Sequence, residues 1–360
     1  MRKDKILFYI DKMYKGGAQR VMNVLIEHYL NENFEIILVT DCEDADKTKE
    51  YFINKKVKRY YLRENNNGNK IIKNIEKCYN LRRIIKKENP FMVISFLGNP
   101  NKRLLLSTIG IKCQKVVSVR NDPKKEYGGN FISRILVNTI FLLCDKCIFQ
   151  TFDASKYFWK VIRNKSEIIF NPVKEDFYIK NDNEIKKNLI TVGRLEPQKN
   201  HLLLINSFAK ISSEFPNEKL LIFGTGKLKE KLENRINELG LNEKVILKGE
   251  TSNVKNELEK SKIFILSSDY EGMPNALMEA MATGTACIST DCPCGGPKSL
   301  ITSEDQGILV KCDAEDELVS AIRKMLINDN YKKYHSSTRK RALEFKTNVI
   351  FKKWDAFLFD

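Results

Sequence analysis

The sequence predicts an α/β protein of two doubly wound parallel-sheet domains. Three observations carry this. The chain of 360 residues is long enough for two domains of ordinary size. Short β-branched or aromatic runs alternate with longer helical patterns, which argues for parallel sheets. And that alternation occurs twice, on either side of a polar stretch with no clear periodicity.

In the first half the strand-like runs are KILFYI (5–10), EIILVT (35–40), VKRYYL (57–62), FMVISF (91–96), KVVSVR (115–120) and KCIFQT (146–151). AQRVMNVLIEHYL (18–30) has helical periodicity between the first two. In the second half they are NLITVG (188–193), KLLIFG (219–224), KVILKG (244–249), KIFILSS (262–268) and TACIST (285–290). The helices between these include HLLLINSFAKISSEF (201–215) and LKEKLENRINELG (228–240). The break is expected near IIFNPVKEDFYIKNDNEIKKN (168–188), where a strand gives way to Asn171-Pro172. Domains of 1–172 and 173–344 follow. The aromatic, amphipathic C-terminal stretch, about 345–360, is more than the second domain needs and is expected to pack back on the first.

Composition narrows the class. Apolar content of 42% suits a globular protein with a sizeable core. FISRILVNTIFLLC (131–144) is too short for a membrane span and is interrupted by Arg134. MRKDKILFYI runs straight into a strand-like segment, so no signal peptide is expected, and a cytoplasmic location follows. Nine cysteines lack zinc-finger spacing and read as thiols in a reducing compartment. The net charge of +16 is uneven. Residues 1–172 carry 33 Lys+Arg and 18 Asp+Glu, which is +15; residues 173–360 carry 29 and 28, which is +1. The first domain is therefore expected to face something anionic: a membrane surface, a phosphorylated acceptor or nucleic acid.

Five loops bear chemistry. DKMYKGGAQRV (11–21) is a strand end, the pair Gly16-Gly17 and a helix start. Glycines there admit a ligand to the first helical amides, although the pattern is not that of a dinucleotide fold. VGRLEPQKN (192–200) puts Arg194 and Lys199 at a strand's C-terminal end, where open α/β sheets bind ligands, and the pair suits a diphosphate. IFGTGKLKE (222–230) offers Gly224 and Gly226 for close backbone approach or for packing. DCPCGGPKSLI (291–301) repeats the backbone-rich turn. In EGMPNALMEAMATG (271–284), Glu271 precedes a helix that Pro274 is expected to open from its first turn. The amides of residues 275–277 point at a ligand, and Glu279 is the one charge in an apolar segment. A carboxylate accepts hydrogen bonds, and paired ribose hydroxyls are natural donors to it.

The order and spacing of GRLEPQKN, IFGTG, EGMPNALMEAMATG and TDCPCGGPKSLI resemble the nucleotide-sugar domain of glycosyltransferase family 4. GGAQRV, SVRNDP (118–123) and FNPV (170–173) resemble further elements of its bacterial polysaccharide branch. The likeness is thin between residues 40 and 110. It implies a GT-B fold, two Rossmann-like domains facing each other across a cleft. It implies a retaining enzyme that moves a hexose or N-acetylhexosamine from a nucleotide sugar, expected to be uridine diphosphate-linked, to a glycan or polyprenyl-diphosphate-linked acceptor. By that resemblance Arg194 and Lys199 hold the leaving diphosphate, Glu271 lies beside the donor sugar and Glu279 binds the ribose. Gly272, Met273, Pro274, Asn275, Ala276 and Leu277 contact sugar and phosphate. Gly249, Asn253 and Val254 meet the base, with Gly224 and Gly226 also at the donor. Gly16 and Gly17 close from the other domain. Relatives often carry a histidine in that domain, where this chain offers Arg120 as a candidate acceptor-side or phosphate contact.

No cofactor and no metal are expected, because preformed positive charge at the leaving group meets the main demand of the reaction. Asp44-Ala45-Asp46 has the D-x-D form but reads as a solvated acidic loop. The basic amphipathic segment 69–90, with seven Lys/Arg and two Glu, either lies on an anionic membrane face or packs its apolar stripe on its own sheet. Peripheral membrane association is thus open, and no nucleic acid is expected as a partner. A basic binding protein on an inactive scaffold and a GT-B-fold epimerase are the competing readings; Arg194, Lys199, Glu271 and Glu279 speak against the first, the E-x7-E context against the second.

Overall fold

The computed structural model describes residues 4–14, 16–41, 50–62, 69–178 and 186–359. The chain forms two compact units: residues 1–170 with 351–360, and residues 171–350.

Unit 1 is a seven-stranded parallel sheet in the order β3-β2-β1-β4-β5-β6-β7. Its strands are β1 (Lys5–Ile10), β2 (Glu35–Thr40), β3 (Lys58–Tyr61), β4 (Met92–Phe96), β5 (Gln114–Ser118), β6 (Lys146–Phe149) and β7 (Ser166–Ile168). The helices are α1 (Gly17–Asn31), α2 (Lys70–Glu88), α3 (Gly98–Ser107), α4 (Pro123–Tyr127), α5 (Phe131–Phe141), α6 (Phe152–Ser155) and α7 (Lys160–Arg163). The central strands are apolar on both faces because helices cover both, so β1, β2 and β4 are almost wholly buried.

Unit 2 is a six-stranded parallel sheet in the order β10-β9-β8-β11-β12-β13. It contains β8 (Leu189–Val192), β9 (Leu220–Phe223), β10 (Val245–Gly249), β11 (Ile263–Leu266), β12 (Ala286–Thr290) and β13 (Ile308–Val310). Its helices are α8 (His201–Ile211), α9 (Lys229–Glu238), α10 (Val254–Glu259), α11 (Asn275–Ala282), α12 (Gly296–Leu300), α13 (Glu315–Leu326) and α14 (His335–Ala342). Its main core cluster joins Leu204, Phe208, Ile222, Ile265, Ile288 and Ile322 across one sheet face.

The last helix, α15 (Thr347–Phe359), starts in unit 2, and from Phe351 onward it belongs to unit 1. There Trp354 is fully buried and its ring lies 6.0 Å from that of Phe96. His28 of α1 stacks on Phe351 at 4.0 Å and bonds Asp355 at 3.1 Å. Each sheet reverses its strand order once, between β1 and β4 in unit 1 and between β8 and β11 in unit 2. Such switch points leave a crevice at the strands' C-terminal ends, where open α/β sheets take ligands.

Candidate functional site

The loops after β8 and β11 flank the switch point of unit 2, and they carry the two most specific motifs of the sequence. They are joined by an ion pair. Lys199 Nζ lies 2.5 Å from Glu271 Oε1, and the Ser268 hydroxyl donates to the same oxygen at 2.7 Å. Backbone bonds fix this contact. A 3-10 turn at Pro197–Lys199 presents Lys199. Asp269 N–H donates to the Gln198 carbonyl at 2.9 Å, and Gln198 Nε2 to the Tyr270 carbonyl at 2.8 Å. The Ser267 hydroxyl donates to the Lys199 carbonyl at 2.9 Å. Asn200 then enters the left-handed region (φ 43°), caps α8 through Leu203 N–H, and donates to Asp269 and Asp313. The Lys199 stem passes over Gly193, where a Cβ would lie 3.3 Å from Lys199 Cε.

Arg194, on the same loop, is exposed. Behind it His201 is buried, with Nε2 3.3 Å from the Arg194 carbonyl. Burial pushes the His201 pKa down to about 4, so the imidazole is neutral at physiological pH. Sequence reasoning passed over His201 as a site residue. Its one signal was position, the first residue of the helix after RLEPQKN.

The glycine pair of GTG is needed for packing. A Cβ on Gly224 would run into the Gly193 carbonyl, and one on Gly226 into the Leu195 carbonyl. Both glycines have positive φ, 139° and 159°. Leu195 N–H donates to the Thr225 carbonyl at 2.9 Å, so this turn backs the Arg194 loop. Gly224 N–H reaches the Gly249 carbonyl at 2.8 Å, and the Thr225 hydroxyl donates to Glu250 at 2.9 Å. Gly249 (φ 72°) thereby brings the 249–254 loop alongside, where Asn253 caps α10 and Val254 starts it.

EGMPNALMEAMATG is more deeply set than its pattern implies. Glu271, Gly272, Met273, Pro274 and Leu277 are buried, and only Asn275 and Ala276 of this stretch are half-buried. Pro274 stands one residue ahead of the helix, as its cap, rather than inside the first turn. Its ψ of 100° is extended, which lets its carbonyl accept from Leu277 at 3.1 Å and Met278 at 3.2 Å. The Leu277 amide is therefore engaged and the side chain is in the core, so of the three amides only those of Asn275 and Ala276 remain for a ligand. Asn171 of FNPV donates to Asn275 Oδ1 at 2.7 Å. Gly296 fits against this loop, since a Cβ there would meet the Gly272 carbonyl. Glu279 is 5% exposed between buried Met278 and Ala280, which excludes a solvated helix face.

The edge of unit 1 is built differently. Gly16 caps α1 and Gly17 begins it; the Tyr51 hydroxyl reaches the Gly16 carbonyl at 3.4 Å. Arg120 is buried, its guanidinium 4.0 Å from the Phe96 ring centroid and 5.5 Å from that of Trp354. Burial lowers its pKa to about 9. Arg120, expected as an acceptor-side or phosphate contact, is thus held inside the unit. Asp41 follows β2, at the place where dinucleotide folds carry an acid, and was not singled out in the sequence. It accepts from the Tyr9 hydroxyl at 2.7 Å, Lys77 at 2.9 Å and Arg103 at 2.7 Å, so most of its acceptor capacity is taken within the unit. Glu126 of α4 has a buried Oε2 without a hydrogen bond. Burial, then the charges of Asp11 and Asp122, raise its pKa to about 8. Asp44 and Asp46 lie outside the described residues. Among the described residues no cluster of three or more His, Cys, Asp or Glu is arranged to hold a metal ion.

Residues 173–344 match the family described as glycosyl transferases group 1. The chain is similar to a Campylobacter jejuni GalNAc-alpha-(1->4)-GalNAc-alpha-(1->3)-diNAcBac-PP-undecaprenol alpha-1,4-N-acetyl-D-galactosaminyltransferase, 27% identical with 97% of each chain covered. It is 24% identical to an Escherichia coli UDP-Gal:alpha-D-GlcNAc-diphosphoundecaprenol alpha-1,3-galactosyltransferase, covering 85% of this chain and 84% of the other. Among solved structures it resembles Anabaena Alr3699/HepE in complex with UDP, with a TM-score of 0.81 at 15% identity and 99% of each chain covered. The chain is a glycosyltransferase of GT-B fold whose residues 173–344 match the group 1 glycosyl transferases.

Proposed function

We propose that this enzyme transfers a hexose or N-acetylhexosamine from a uridine diphosphate sugar to a polyprenyl-diphosphate-linked glycan in cell-surface polysaccharide synthesis. The names of the Campylobacter jejuni and Escherichia coli relatives, both of which act on undecaprenol-linked acceptors, support the acceptor class. The Escherichia coli name supports the donor class. The observation that carries the reading is the Lys199–Glu271 contact at the switch point of unit 2.

In this reading the bond from the anomeric carbon to the diphosphate oxygen breaks, and its electron pair leaves with the diphosphate. The acceptor hydroxyl bonds to the anomeric carbon on the face the diphosphate leaves and passes its proton to the departing diphosphate oxygen, with retention of configuration. Lys199 has three donors, so it can hold Glu271 and still give an N–H to the departing diphosphate. Arg194, exposed beside it, supplies a planar fork to the same charge. These cations and the Asn275 and Ala276 amides are preorganised for charge that develops in the transition state, which is why the reading is metal-independent. Glu271, fixed by Lys199 and Ser268, stands beside the sugar, and Glu279 receives the ribose hydroxyls.

The test is to incubate the protein with a panel of nucleotide sugars, with and without polyprenyl-diphosphate-linked glycan, in the presence of chelator. Release of uridine diphosphate that depends on the acceptor is expected. No release with any donor, or release only with added divalent metal, would overturn the corresponding part of the reading.

A further inference from the structure

We infer that α5 is an interfacial membrane anchor, seated in the headgroup layer of an anionic bilayer. The helix is apolar nearly all round, with Arg134 as its one charge. Val137, Asn138 and Phe141 face the core of unit 1. The opposite stripe, Phe131, Ile132, Ile135 and Leu136, faces out, with Phe131 77% and Ile132 70% exposed. Leu142 and Leu143 continue it beyond the helix. A helix that is apolar on every side belongs in a core or in lipid, and among the described residues of unit 1 nothing covers this outer face. Eleven residues are too few to span a bilayer, so the helix can only lie along the interface.

The surroundings select lipid. Alpha-helices α2, α3 and α5 are neighbours in one layer of unit 1. The N-terminal half of α2 also turns Ile71 and Ile75 outward, while its Leu81 and Ile85 enter the core. The apolar stripe read in segment 69–90 thus splits between core and solvent. Beside α5, Arg134 donates to the Tyr157 and Lys156 carbonyls, and Asn138 Oδ1 accepts from Trp159 N–H at 2.6 Å. This seats the 152–165 segment against the helix, with Lys156, Lys160 and Arg163 exposed at its flank. Residues 123–165 hold eight Lys/Arg and three Asp/Glu, a net of +5. Of the acids, Asp145 is paired with Lys115 and Asp153 with Lys156. An apolar ridge with a cationic rim fits an anionic lipid face and not a protein core. Almost all the exposed large apolar side chains of the described residues lie in unit 1; Ile327 and Leu343 are the exceptions.

The inference draws its purpose from the lipid-linked acceptor, but its test needs neither donor nor acceptor, so the two can fail separately. Full-length protein is mixed with vesicles of phosphatidylcholine alone or mixed equally with phosphatidylglycerol, and binding is read by co-sedimentation. Trp159 is a built-in reporter, because the other tryptophan, Trp354, is fully buried. Binding to the mixed vesicles with a blue shift of emission is expected, retained in part at high salt. Phe131→Ser/Leu136→Ser should weaken it about 100-fold, with unchanged circular dichroism and melting, since both side chains are exposed. Lys160→Ala/Arg163→Ala should weaken it about 30-fold at low salt and little at high salt. Equal binding by wild type and the Phe131/Leu136 variant, or no binding by wild type, would overturn the inference. So would a dimer that this variant splits, formed without vesicle binding, since α5 would then be an interface between copies.

Discussion

At the switch point of unit 2, Lys199, Arg194 and Glu271 sit on loops at the sheet edge, each fixed by backbone bonds or packed glycines. At that of unit 1, the charges turn inward: Asp41 is shared by Tyr9, Lys77 and Arg103, and Arg120 lies against Phe96 and Trp354. The same winding thus serves two ends. In unit 2 charge is held where a small, highly charged ligand can meet it. In unit 1 charge holds the sheet edge together, and the outer surface is left to apolar side chains and scattered cations. Net charge alone therefore misleads: the half with +15 keeps some of its cations as structure, while the half with +1 sets Arg194 and Lys199 at the sheet edge.

The contrast can be broken most directly at Lys199. Lys199→Ala should cut acceptor-dependent uridine diphosphate release about 100- to 1,000-fold, while melting moves by only a few degrees. A large loss of stability with normal turnover would mean that the Lys199–Glu271 pair is structural, as in unit 1. Asp41→Ala tests the other side. It leaves buried Lys77 and half-buried Arg103 without their carboxylate and should cost about 3 kcal/mol in urea unfolding. A stable variant with weakened donor binding would instead place Asp41 in a ligand site.

A smaller effect sharpens the comparison through pH. Glu88 is buried at the N-terminal edge of the unit 1 sheet. Burial works to raise its pKa, but bonds from Lys58, Tyr60 and Lys5 prevail and hold it at about 2. Its folded pKa lies below the unfolded value, so its contribution is full above about pH 4.5 and is lost as pH falls toward 2. Glu88→Gln should therefore destabilise the protein at pH 7 by about 2 kcal/mol, and the gap to wild type should close as unfolding is measured at lower pH. A gap that does not change with pH would show that the carboxylate charge is not what matters there.

Much of this was legible in the sequence because parallel strands buried on both faces leave continuous apolar runs. Eleven of the strands coincide with such runs to within a residue or two at most ends. Strand β7 was read only as the strand that gives way to Asn171-Pro172, and β13 was missed because three residues, Ile308–Val310, make no pattern that survives alone. The site motifs were visible as motifs, but their meeting was not. Lys199 and Glu271 are 72 positions apart, and only the strand order brings their loops together. The inward turn of Asp41 and Arg120 was hidden for the same reason: their partners come from other elements. The direction of α2 was undecidable from periodicity, since apolar residues occupy two of its faces and only packing selects one.

The path of α15 has a consequence for synthesis. The ring of Trp354, which backs Phe96 and Arg120, is synthesised only after the whole of unit 2. Unit 1 brackets unit 2 in the chain, so its core stays open while the whole of unit 2 is made. The nascent first half thus stays unfinished until Trp354 has been made, with the exposed apolar face of α5 already displayed.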